Sequence, residues 1–347
     1  MTRIISTAVA SPLHKVSQKR AQEFASLHFA GKNNKLDKLL AVFDNAGIES
    51  RYFCVPEEWF MSEKSFSDKN RIYIEWATRL GAEAASECLQ RAAVAADEVD
   101  HIIFISTTGL ATPSIDARLI NILKMRDDIR RTPVWGLGCM GGVAGLAYAR
   151  NYIKAFPDSK VLVVAVELCG LTFLFKDRSI SNIVATALFG DGAAAVLLSN
   201  YGNGPEILDV QSKIWPNSLD VMGWNFMDEG LQVVFSKSIP SIVDRYANES
   251  LSGFVSRHSL SLGDIKNYLI HPGGTKVVEA YRNALGLNGT KMQLAEAILR
   301  EFGNMSSVTV LYILDRFLKT AYSPNGDYGI MTALGPGFSS ESLLLRN

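Results

Sequence analysis

Cys139 lies in the run Trp135-Gly136-Leu137-Gly138-Cys139-Met140-Gly141-Gly142, between an apolar segment and a helix rich in small residues. Glycines on both sides let the backbone turn tightly and leave room around the sulfur. A thiol at a helix start also feels the exposed N–H groups and the positive end of the helix dipole, which favour the thiolate. The ordinary alternative is a small buried hydrophobe. A nucleophilic reading therefore needs a base and an amide or acid elsewhere in the chain. His271 opens His271-Pro272-Gly273-Gly274, directly after the apolar run Tyr268-Leu269-Ile270. Asn304 lies in Phe302-Gly303-Asn304-Met305-Ser306-Ser307, directly before the apolar stretch Val308–Leu314. Taken singly, the histidine reads as a core or surface residue and the asparagine as a helix cap. Together the three sit where a regular element meets a glycine-containing turn, and side chains at such junctions can converge on one cleft.

The elements that must hold these junctions alternate between strand and helix. Helical patterning covers residues 17–46 and 70–95, followed by a buried strand at 101–106 and a helix at 114–124. The Cys139 turn and its helix run to about residue 155, and strands follow at 161–166 and 192–198. The second part has a strand at 267–270, helices at 276–285, 293–302 and 307–320, and a last strand at 328–334. This alternation predicts an α/β fold with largely parallel, buried sheets and helices outside. Residues 1–10 read as a first strand rather than a signal peptide. The turn-rich Asn200-Tyr201-Gly202-Asn203-Gly204-Pro205 divides the chain into halves at 1–200 and 201–347, suggestive of an ancient duplication.

Composition narrows the class. The 347 residues are 48% hydrophobic and 20% charged, with 35 Lys and Arg balancing 35 Asp and Glu. That describes a soluble globular protein and argues against a general nucleic-acid binder, which needs a basic surplus. The most apolar run, Val161–Val166, is stopped by Glu167, so no integral membrane segment is expected. Four scattered cysteines without a Cys-x-x-Cys pair suit neither zinc nor a disulfide scaffold, and point to a reducing cytoplasm.

Five motifs occur in the order found in one known family: the Cys139 turn, Leu188-Phe189-Gly190-Asp191-Gly192-Ala193-Ala194-Ala195, His271–Gly274, Gly303–Ser307 and Gly335-Pro336-Gly337-Phe338. The chain thereby resembles the type III polyketide synthases, the chalcone and stilbene synthase family. It is most similar to bacterial alkylpyrone synthases through Trp135–Cys139, Asp220-Val221-Met222-Gly223-Trp224 and Ala333–Glu341. The resemblance implies a thiolase-like five-layer αβαβα fold, a homodimer, and an acyltransferase without metal or bound cofactor. It implies acyl-CoA and malonyl-CoA as substrates, decarboxylative condensation, and cyclisation, here to alkylpyrones. Cys139 would take the acyl group, with His271 holding it deprotonated as an ion pair. His271 and Asn304 would stabilise the thioester oxygen and the malonyl-derived enolate.

By the same resemblance Phe189 is a gatekeeper between CoA tunnel and cavity, and Thr107, Thr108, Thr112, Cys169 and Thr172 occupy cavity positions. Plant relatives carry a second gatekeeper phenylalanine where this chain has Val233, and at Thr112 a methionine that reaches across the dimer. Small residues at Thr108, Thr112 and Cys169 imply an apolar tunnel for a medium- or long-chain fatty acyl-CoA starter, while Trp224 replaces a small residue and takes up part of the cavity. Lys32, Lys35 and Lys38 are candidates for the CoA phosphates, against an ordinary solvated helix face. Three rivals remain at this point: a single-condensation ketoacyl-ACP synthase III, a papain-like cysteine hydrolase with the same Cys, His, Asn order, and a non-catalytic binding protein on this scaffold.

Overall fold

Strands Val161–Leu168 and Asp191–Ser199 are buried at every residue, as befits strands covered on both faces. They lie inside one nine-stranded sheet whose spatial order, in ranges, is 265–270, 328–335, 339–346, 206–214, 3–10, 191–199, 161–168, 101–105 and 130–134. The computed structural model describes the backbone of residues 1–30 and 36–347, and the side chains of all of these except 36–39.

The two halves of the sheet meet at a thin seam. Arg3 pairs with Glu206, and the Ile207 N–H donates to the Thr2 carbonyl at 2.9 Å. Helices Gly141–Ala155 and Thr309–Thr320 pack against strands of both halves and form the central layer. The first passes because Gly141, Gly142, Ala144, Gly145, Ala147 and Ala149 are small and buried. Helix Phe66–Ala92 covers the outer face of the first half, and helices Ile239–Ser256 and Thr275–Leu285 pack on the second. The result is the five-layer thiolase-like arrangement of helices and mixed sheet.

The sheet is not largely parallel. Only 101–105 with 130–134, 101–105 with 161–168, and 265–270 with 328–335 run parallel. The remaining pairings are antiparallel, because 161–168 and 191–199 lie side by side in opposite senses, as do 328–335 and 339–346. The helical region expected at 17–46 is two helices, Gln18–His28 and Leu36–Asp44. Strand Arg130–Val134 escaped the sequence pattern because Arg130, Arg131 and Pro133 break its hydrophobicity; as an edge strand it tolerates all three. Among the described residues, no helix is long and apolar enough to cross a membrane.

Candidate active site

Two of the three junction residues follow parallel strands, and the third follows a helix. Strand Arg130–Val134 leads into the turn carrying Cys139, which sits in a short 3₁₀ turn (Gly138–Met140) at the head of helix Gly141–Ala155. Gly138 has φ +50°, and a Cβ there would lie 2.6 Å from the Pro336 ring, so only glycine lets the turn close against the Gly335-Pro336-Gly337 segment. His271 follows strand Ile265–Ile270, its N–H donating to the Thr332 carbonyl at 2.9 Å. Asn304 follows helix Gln293–Phe302, and Ser306 beside it is held at φ +48°. A non-glycine residue in that region is stored strain, of a kind concentrated at working sites.

Cys139, His271 and Asn304 are buried and line one cavity of about 440 Å³. The orientation of Asn304 follows from its partners. Its Oδ1 accepts from the Ser306 N–H at 2.8 Å, and its Nδ2 donates to the Gly273 carbonyl at 2.9 Å. A flipped amide would set N–H against N–H and oxygen against oxygen, so the network assigns the rotamer. One Nδ2 hydrogen remains for a ligand. Both ring nitrogens of His271 are buried without a protein partner, leaving its hydrogen-bonding capacity to whatever enters the cavity.

Burial disfavours both charges of the pair expected from the sequence. It pushes the Cys139 thiol up to about 12, aided by the buried Glu167 carboxyl and opposed by a hydrogen bond with Ser306. It holds the His271 imidazole down at about 3. Neither imidazole nitrogen meets a protein partner that would offset this, so the site as it stands favours the neutral thiol and the neutral imidazole over the expected ion pair. This gives a stability prediction. The folded imidazole titrates at about 3 and a free one at 6.5, so as pH falls the unfolded chain binds the proton first. The histidine's contribution is present above 6.5 and is lost towards 3, at up to about 1.4 kcal/mol per pH unit. Urea unfolding across that range should lose this slope in His271→Gln; an identical slope would mean that the imidazole is not buried in its neutral form.

A second, narrow cavity lies behind Phe189. Cys169, Thr172, Phe189 and Val233 line it with the aromatic rings of Phe24, Phe53, Phe60 and Phe173. Trp224 packs against Phe189 at 6.2 Å between ring centres. Thr107 and Thr108 line neither cavity. Their hydroxyls donate to the Glu167 carboxylate at 2.8 and 2.9 Å, and Ser307 adds a third hydroxyl at 2.6 Å. They build a polar floor beneath the site rather than a wall against substrate. Thr112 is exposed on the surface, beside exposed Leu110. Lys32 and Lys35 lie outside the described residues, as does the side chain of Lys38. Among the described residues no cluster suits a metal ion.

Three residues that the sequence reading passed over belong to the site. Phe235 lines the same cavity as Cys139, His271 and Asn304 and sits 5.6 Å from Phe189, ring centre to ring centre. It is two residues beyond Val233 on the hairpin Met222–Met227/Gly230–Phe235, hence on the same face. The period-two spacing was the available signal. Lys237 and Lys276 also line that cavity, Lys276 two residues beyond the glycines that follow His271.

Two family models together match almost the whole chain. One is described as chalcone and stilbene synthases, N-terminal domain, over residues 3–203, and the other as the C-terminal domain over residues 206–347. The chain is 43% identical over 358 residues to a candidate chalcone synthase of Bacillus subtilis (strain 168), with 99% of this chain and 98% of the relative covered. It is 34% identical over 351 residues to the 1,3,6,8-tetrahydroxynaphthalene synthase of Streptomyces peucetius subsp. caesius, covering 99% and 93%. Among solved structures it superposes on the 1,3,6,8-tetrahydroxynaphthalene synthase of Streptomyces coelicolor, a bacterial type III polyketide synthase. That match has a TM-score of 0.96 at 26% identity over 99% of both chains.

Proposed function

We propose a starter and a product for this chain, which belongs to the chalcone and stilbene synthase family of type III polyketide synthases: a medium- or long-chain fatty acyl-CoA, extended with malonyl-CoA and closed to an alkylpyrone. Family membership removes the papain-like rival, whose fold and sequence are different, and leaves a single-condensation synthase as the reading to beat.

The observation that carries the proposal is a pair of cavities, one lined by Phe235 and the other by Phe189, whose rings pack 5.6 Å apart. On one side stand the thiol, imidazole and amide; on the other is a narrow apolar slot walled by phenylalanines. Such a slot suits a hydrocarbon tail held while its carbonyl end reacts. Cys139 attacks the thioester carbonyl, the carbon–sulfur bond to CoA breaks, and the CoA thiolate leaves with the proton that His271 took from Cys139. Malonyl-CoA then loses carbon dioxide. The electron pair moves into an enolate whose oxygen is met by the free Asn304 N–H and by the one N–H of neutral His271. The enolate carbon attacks the acyl–Cys139 carbonyl and expels the sulfur. Lys237 and Lys276 supply cations for the CoA phosphates. A solved relative, CsyB, is described in complex with CoA-SH. Trp224, expected to take up part of the cavity, packs on Phe189 and lines neither cavity, so it narrows the slot at most through that ring.

A panel of acyl-CoA starters of graded length, incubated with malonyl-CoA and followed by product mass, tests the reading. Products from short starters alone, or a single condensation, would overturn it. Cys169→Phe should shorten the accepted chain, because Cys169 is 2% exposed and lines the slot. Each methylene excluded should cost about 0.8 kcal/mol, or about fourfold in kcat/KM. An unchanged length profile would place the tail elsewhere. The homodimer belongs to the same proposal. Trp135 packs at a tilt against the exposed Phe226, 5.8 Å between ring centres, and donates to the Gly109 carbonyl beside Leu110, making an apolar face for a second copy. A sedimentation mass of one chain would remove that part.

A further inference from the structure

We propose that Arg51 is a positioning residue for the condensation: its guanidinium fixes the crossing of the Phe189 and Asn304 backbones and thereby aims the Asn304 amide. The proposal rests on the reading of Asn304 as a donor to the enolate.

Arg51 lies on the short strand Ser50–Phe53 and is 0% exposed. Among the described residues its partners are oxygens of carbonyls and of an amide, not a carboxylate. Its Nη1 donates to the Thr186 carbonyl at 2.8 Å and more weakly to the Phe189 carbonyl at 3.4 Å, while Nη2 donates to Gln18 Oε1. Gln18 in turn donates to the Ala187 carbonyl at 3.2 Å and the Phe43 carbonyl at 3.0 Å.

These bonds complete the end of helix Ile180–Leu188. The last four carbonyls of a helix have no partner within it. Here the Ala185 carbonyl accepts from the Phe189 N–H, Thr186 from Arg51, Ala187 from Gln18, and Leu188 from the Asn304 N–H at 2.8 Å. The Gly190 N–H donates back to the Asn304 carbonyl at 3.0 Å, so Phe189 and Asn304 form a one-rung parallel bridge. Gly303, at φ +71°, lets the two backbones touch: a Cβ there would lie 2.8 Å from the Leu188 carbonyl and 3.5 Å from Arg51 Cβ. The gatekeeper ring and the catalytic amide thus hang from one node, with Arg51 beneath it.

A buried cation is a costly way to cap a helix, which a glycine ends without charge. Burial lowers the guanidinium only to about 9, so it stays protonated at neutral pH. Its use here is geometric. A planar fork reaches two carbonyls and an amide at fixed angles, and it meets the negative end of the helix dipole. A lysine keeps the charge and loses the fork.

The test compares Arg51→Lys, Arg51→Gln and Gln18→Met with the wild type and with Asn304→Asp, all as the full chain. Two half-reactions are read separately: acyl loading of Cys139 by intact mass, and decarboxylation of malonyl-CoA by release of labelled carbon dioxide. In the Arg51 variants decarboxylation should fall about 10- to 100-fold, the cost of misplacing a group by a fraction of an ångström, with loading reduced less than about threefold. Gln18→Met should show the same bias at smaller size, and it decides the matter alone if neither Arg51 variant folds. Folded variants that lower the melting temperature but slow both half-reactions equally, or neither, overturn the proposal. If Asn304→Asp itself slows both alike, the donor reading is what fails. Arg51 is then judged by the starter-length profile, which must shift if Phe189 has moved and stays put if Arg51 only stabilises the fold.

Discussion

Cys139→Ala is expected to fold normally and to accumulate no acyl-enzyme from any acyl-CoA. The substitution removes one buried sulfur at a site 6% exposed, a loss of about 1 kcal/mol that the domain can absorb. The chemistry has no such reserve. Without the sulfur no covalent intermediate forms, and by analogy with other nucleophile deletions the condensation rate should fall about 10⁴- to 10⁶-fold. Malonyl-CoA decarboxylation needs the imidazole and the amide but no thiol, so it should persist. Intact mass after incubation with an acyl-CoA checks the first point and carbon dioxide release the second. A mass increase equal to the acyl group, located at another residue, would remove Cys139 from its role.

Asn304→Asp should have the next largest effect. The amide is tied down by a donor on one side and an acceptor on the other, at 2.8 and 2.9 Å. An aspartate keeps the bond from the Ser306 N–H but turns its second oxygen towards the Gly273 carbonyl, where oxygen meets oxygen. The free N–H is lost, and a negative charge takes its place beside the developing enolate. Removing one preorganised oxyanion donor costs about 10²- to 10³-fold in rate, and added repulsion moves the expectation to the upper end. Loading should suffer less, because the thioester oxygen still has the imidazole. Equal losses in the two half-reactions would contradict the assignment.

Much of this was legible in the chain. The three residues proposed to react were picked out by their junctions, and those junctions are local: Gly138 and Gly303 sit at positive φ, next to residues that must leave a regular element. Fully apolar runs such as Val161–Val166 could only be interior strands. Strand direction was misread, since parallel and antiparallel interior strands share one hydrophobic pattern. Thr107 and Thr108 were placed at cavity positions by family resemblance alone, and resemblance does not show which partner a hydroxyl takes. Glu167, about sixty positions further along, claims both.

The sequence by itself determined which thiol, imidazole and carboxamide are the proposed reagents, and the glycine turns that present them, because backbone preference acts over a few residues. Only the tertiary structure decided what surrounds them. Phe235 faces Phe189, Lys237 and Lys276 face the cavity, and Arg51 reaches the end of helix Ile180–Leu188 because elements distant in the chain pack there. Such contacts depend on the relative placement of strands and helices, which no local pattern encodes.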